Sequence, residues 1–159
     1  MKLTNRTITA QDIIALEPCY EDEQVHALVP EPTDLASLLD LNIPNVDIMW
    51  AVTQLIECKR ERVWLGAQFV RKTPLADGRT VYDLLTDECS IAAIEVCEAY
   101  ALGQASDEEL KAAEDAARAA AGTAGVAAGT AAWAAGAAAW AAAAAARAAQ
   151  VTILRNSFK

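Results

Sequence analysis

Between Ala119 and Ala149 the chain is almost wholly alanine and glycine, carries no charge before Arg147 and repeats every seven residues. Successive units begin at Gly122, Gly129, Gly136 and Ala143, and Val126, Trp133, Trp140 and Arg147 hold the same place in each. Alanine is the strongest helix former and proline is absent, so the segment is predicted to be helical. A helix with no polar face belongs in an interior. With Val126, Trp133 and Trp140 at heptad position a, the glycines Gly122, Gly129 and Gly136 fall at d, and one seam alternates bulky with missing side chains. Each glycine costs about 1 kcal/mol of helix propensity relative to alanine, and close approach of a neighbouring backbone or indole would offset it. The stretch therefore reads as a central packing helix. It is long enough to span a membrane, but alanine and glycine partition weakly into lipid. Thr123 and Thr130 alone repeat, too short an array for an ice-binding surface.

The chain leading to this segment is punctuated for short helices. Thr9 with Asp12 resembles a capping box ahead of Ile13, Ile14 and Leu16, and Pro18 ends that stripe. Glu21, Asp22 and Glu23 suit the first turn of a second helix, because carboxylates there oppose the positive end of the helix dipole; Val25, Leu28 and Val29 form its buried face. Thr33 is the expected N-cap of a third, from Asp34 to Leu41. After Asn42-Ile43-Pro44, a helix from about Asn45 to Cys58 presents Ile48, Met49, Val52, Leu55 and Ile56, with Trp50 beside the stripe as an anchor. Val63 to Val70 reads as helix, with a short hairpin as the alternative, and Pro74 and Asp77-Gly78 mark a turn. A helical run from about Thr80, re-initiated at Thr86 or Asp87, buries Val81, Leu84, Leu85, Ile91, Ile94 and Cys97 and stops at Gly103. Ser106-Asp107-Glu108-Glu109 is a full capping box and starts the last, longest helix, which Val151 to Leu154 extend and beyond which Asn156 to Lys159 are expected to fray. The fold class is all-α: a single domain of 159 residues in which several short helices pack around one long Ala/Gly-rich C-terminal helix. Its parts are an acidic helical portion over 1–58, middle helices over 59–104 and the long helix over 106–155.

Charge is segregated along the chain. From Thr7 to Cys58 there are ten carboxylates and no Lys or Arg, whereas residues 59–79 carry six basic side chains against two acidic. The basic stretch is expected to complement an acidic element within the fold. The acidic part, with Glu21, Asp22, Glu23, Asp34 and Asp40 as candidate contacts, is expected to offer a face to a basic protein partner. The net charge of −9 argues against bare nucleic acid as a partner.

Three motifs together resemble a family. They are Leu41-Asn-Ile-Pro44 leading to Asp47 and Trp50; Ala93-Ile94-Glu95 through Ala99-Tyr100-Ala101 with Gly103; and Ser106-Asp-Glu-Glu-Leu110-Lys-Ala-Ala113 running into repeated Ala and Trp. The set is similar to small, alanine-rich helical immunity proteins that also occur in phage genomes, over roughly the last two thirds of the chain. The resemblance implies an intracellular binding protein that neutralises something. Many members carry histidines in the alanine-rich helix; this chain has none there.

No phosphate-cradling, dinucleotide, nucleophile-elbow or zincin motif occurs, so no enzyme activity, metal or cofactor is expected. Cys19, Cys58, Cys89 and Cys97 lack metal-ligand spacing, and with the single His26 they read as reduced, half-buried thiols of a cytoplasmic protein. His26 seven residues after Cys19 is not a diagnostic nucleophile–base arrangement, and Glu21, Asp22 and Glu23 diverge on a helix rather than enclosing a cation. The N-terminus has no apolar leader run. The leading expectation is an interaction or inhibitor protein. Two alternatives are a ligand binder or enzyme with a groove beside Trp133 and Trp140, and a homodimer joined through the Gly/Trp seam.

Overall fold

The computed structural model describes the chain except residues 76 and 129–135, and its side chains except those and residues 120–145. The described elements form an all-α bundle with one two-residue β pairing. In chain order they are β1 (Thr7–Ile8), α1 (Ala10–Ile14), α2 (Asp22–Leu28), β2 (Thr33–Asp34), a 3-10 helix (Leu35–Asp40), α3 (Asn45–Leu55), α4 (Lys59–Lys72), a second 3-10 turn (Tyr82–Leu84), α5 (Glu88–Ala101), α6 (Asp107–Ala128) and α7 (Gly136–Ser157).

Local signals set most boundaries. Thr9 and Asp12 cap α1 reciprocally: the Asp12 carboxylate accepts from the Thr9 N–H at 2.7 Å and Thr9 Oγ1 accepts from the Asp12 N–H at 3.3 Å. Ser106 and Glu109 do the same for α6, at 2.8 and 3.2 Å. Gly103, at φ +77°, closes α5 in a Schellman motif, its N–H donating to the Tyr100 carbonyl and that of Gln104 to the Ala99 carbonyl.

Three expectations need correction. Thr33 does not cap the third helix. It pairs with Ile8 in an antiparallel bridge, and Asp34 accepts from the Ser37 N–H instead, opening a 3-10 helix. The stretch around Val63 to Val70 needs none, since residues 59–72 are helix as its spacing leads one to expect, and the hairpin alternative falls. The run from Thr80 is not α-helical at its start: Tyr82–Leu84 makes one 3-10 turn and Leu84 is left 46% exposed, while the expected re-initiation does occur, with Asp87 as the cap. Finally, the chain end does not fray. α7 runs to Ser157, Leu154 is fully buried, Phe158 is buried beside it, and the Leu3 N–H donates to the Ser157 carbonyl at 2.8 Å. Burial of two large apolar side chains outweighs the conformational entropy that ordinarily loosens a terminus.

The core follows from these placements. Ile8, Val25, Leu35, Leu38, Val52, Ile56 and Leu65 form one apolar cluster with Val151, Leu154 and Phe158 from the far end of the chain. α7 packs on α3 and α4, and α5 pairs with α6 and with α4, so α4 stands between the N-terminal core and the α5–α6 pair. The basic stretch of α4 meets its acidic complement here. Arg71 makes a bidentate pair with Glu98 at 2.9 and 3.1 Å while stacking 3.9 Å from the Tyr82 ring. Lys59 pairs with Asp107, and Arg60 lies over Tyr100 and donates to its carbonyl. Glu61 is buried and accepts from both the N–H and the hydroxyl of Thr4, which fastens the N-terminal segment to α4.

The stretch expected as one helix over 106–155 is recorded as α6 and α7, with 129–135 between them outside the described residues. Of the seam, Gly129 and Trp133 lie outside the described residues, and Gly122, Val126, Gly136 and Trp140 fall in the stretch for which only the backbone is described. On α6 before that point, Leu110 is buried and the charged residues face solvent.

Candidate functional site

The N-terminal elements do not close completely. Between α1, α2, the first 3-10 helix and the opening turns of α3 lies a groove of about 320 Å³. Ile13, Val25, Val29, Leu38 and Ile48 reach it from the core, and half-buried Leu28, Leu41 and Ile43 form its walls. Two of its bordering side chains stay exposed although apolar: Val46 at 48% and Trp50 at 37%. Trp50 is thus an edge residue, offset from the buried stripe of Ile48, Val52 and Leu55 on the same helix.

The polar contribution is acidic. Glu17 and Asp47 line the groove, and among the described residues no Lys or Arg does. The Tyr20 hydroxyl donates to the Asp47 carboxylate at 2.7 Å, tying the α1–α2 connection to the first turn of α3. That bond, with some burial and the charge of Asp47 adding to it, raises the Tyr20 phenol above its ordinary range. Glu17 has φ +55°, the left-handed conformation in which glycine or asparagine normally ends a helix. A residue with a Cβ pays roughly 1 kcal/mol there, and strain of this kind tends to collect where a side chain has a task. Cys19 is exposed at the same lip.

The residues expected to meet a partner fall into two groups. Glu21, Asp22 and Glu23 are exposed at the start of α2, whose later residues Val25, Leu28 and Val29 line the groove, and no ion pair engages them among the described residues. Asp34 and Asp40 are also exposed but already occupied. Asp34 caps the 3-10 helix, and its carboxyl is held below the usual range by hydrogen bonds, first from the Ser37 backbone. Asp40 pairs with Arg155 of α7 at 2.8 Å. The thiols also differ from expectation: Cys19, Cys58 and Cys89 are exposed, and only Cys97 is half-buried, where burial pushes its thiol up.

Sequence reasoning missed the groove itself, with Glu17, Tyr20 and Val46. Its walls come from four elements, so no single periodicity encodes it. One signal was present: Leu41, Ile43, Asp47 and Trp50, from the first of the three family-like motifs, all line it.

Among the described residues no group of three or more His, Cys, Asp or Glu is placed to hold a metal ion, and no helix is long and apolar enough to cross a membrane. The described residues define an all-α bundle with an acidic-lipped apolar groove. No family model, curated protein or solved structure matches the chain.

Proposed function

We propose that the chain is an intracellular interaction protein that binds and blocks a basic protein partner through its acidic N-terminal part, in the manner of immunity or phage anti-defence proteins. The observation that carries this reading is an apolar groove opening among carboxylates, in a segment with ten acidic side chains and no Lys or Arg. Apolar surface supplies affinity, and carboxylates select for positive charge and speed encounter. Glu21, Asp22 and Glu23 are the contacts to alter first, since they are exposed and serve no ion pair among the described residues.

The test compares wild-type protein with the triple variant E21K/D22K/E23K in capture of the partner from host extract at low and high salt. Wild type should retain a basic protein that salt releases, and the triple variant should lose it while keeping its helical circular dichroism. Equal capture by both proteins at both salt concentrations refutes the acidic face. A second reading, a small-ligand binder, is favoured by the groove volume, which lies near the lower end of the range of about 300–1,000 Å³ typical of ligand sites. It puts the ligand in the N-terminal groove, whereas the stretch beside Trp133 and Trp140, where a ligand groove was expected, lies outside the residues whose side chains are described. A thermal shift on adding an apolar metabolite fraction, without any protein partner, would favour it.

A further inference from the structure

We infer that the groove between α1, α2, the Leu35–Asp40 3-10 helix and α3 seats an amphipathic basic helix of the partner, an assignment that rests on the acidic-face reading above. One or two large apolar side chains of that helix enter between Leu28, Leu41 and Ile43. Lys or Arg residues a turn away meet Glu17 and Asp47 at the lip and Glu21, Asp22 and Glu23 beyond it.

Three observations converge on this occupant. Val46 and Trp50 remain exposed at the edge of an apolar cleft, and tryptophan is prominent among residues that dominate binding energy once an interface excludes water. Among the described residues the lining includes two carboxylates and no Lys or Arg, so a neutral apolar occupant would desolvate negative charge without compensating it, whereas a flanking ammonium or guanidinium supplies the counter-charge. The elements α1, α2, the Leu35–Asp40 3-10 helix and α3 border the groove, and a groove between helices reads side chains at i, i+3, i+4 and i+7 of an inserted helix. The strained Glu17 fits the same picture, since it keeps a carboxylate where glycine would be less costly.

The experiment uses synthetic peptides of about 14 residues, long enough for such a face, with fluorescence anisotropy as the affinity readout. One has leucine at i, i+3, i+4 and i+7 on a lysine background. A second replaces leucine by alanine at equal charge, and a third replaces lysine by serine. The full-length protein should bind the Leu/Lys peptide at least about tenfold more tightly than either other peptide. The lip variant V46A/W50A, altered only at exposed positions, should weaken Leu/Lys binding by about tenfold and leave Ala/Lys binding unchanged. Bound Leu/Lys peptide should slow alkylation of Cys19 but not of Cys89, read by mass spectrometry. If Leu/Lys and Ala/Lys peptides bind alike and the lip variant changes nothing, the groove is not the seat. The acidic-face reading survives that result provided E21K/D22K/E23K weakens both peptides. If the Leu/Ser peptide binds as tightly as Leu/Lys, charge plays no part and both readings fall.

Discussion

Leu154 tests the most consequential feature of the bundle, the burial of the chain's C-terminal end in the N-terminal core. Its side chain is 0% exposed, and it belongs to the same cluster as Ile8, Leu38 and Val52. Leu154→Ala removes the equivalent of three methylene groups from that cluster. At about 0.8 kcal/mol each, the lost transfer free energy is roughly 2.4 kcal/mol. The cavity left behind adds to this, because packed neighbours relax only in part, and the expected loss is about 3–4 kcal/mol. For a domain of this size that lowers the melting temperature by about 6–16 °C. Urea unfolding followed by far-ultraviolet circular dichroism measures the loss directly. Thr152→Ala on the same turn is the control: Thr152 is exposed and its hydroxyl donates only to the Ala148 carbonyl, so its effect should stay within about 0.5 kcal/mol. A Leu154→Ala loss below about 1 kcal/mol would mean that the end of α7 is not packed in the core and that the termini are loose after all.

Further outcomes bear on the groove and its frame. Glu17→Gly should raise stability by about 0.5–1 kcal/mol in urea titration, as relief of left-handed strain exceeds the added chain entropy, yet weaken binding of the Leu/Lys peptide; a stability loss would show that position 17 is unstrained. Gly103→Ala should cost about 1 kcal/mol through backbone conformation alone, since a Cβ there would meet only Arg60 at 3.8 Å. Gly66→Ala, inside α4 with open space around the new methyl, should stabilise by about 1 kcal/mol in the same assay. The Asp12, Asp87 and Asp107 carboxyls are held below their usual value by hydrogen bonds, chiefly from Thr9, Ser90 and Lys59 respectively. A carboxyl whose folded pKa is depressed contributes stability above its unfolded value and loses it as pH falls through the folded value. The urea midpoint should therefore drop as pH falls below about 4, and Asp87→Asn should lessen the drop.

What could be read from the chain alone was whatever depends on neighbours three or four residues apart. The Thr9–Asp12 and Ser106–Glu109 caps, the Gly103 stop and the apolar faces of α2 and α3 are local patterns, and they appear where spacing puts them. Segregation of charge was equally visible, including the internal match between the basic stretch of α4 and the carboxylates of α5 and α6. Tertiary structure decided the rest, because those outcomes turn on contacts between distant residues. Thr33 gave up its cap to Asp34 by pairing with Ile8, a partner no local rule can select. The last residues gained order from Leu3 and the core rather than from their own propensity. The groove exists because α1, α2, a 3-10 helix and α3 meet imperfectly, leaving Val46 and Trp50 uncovered above carboxylates that are scattered in sequence. Burial is a property of the assembled surface, so the pattern of a single helix can propose which face turns inward but not where two inward faces fail to meet.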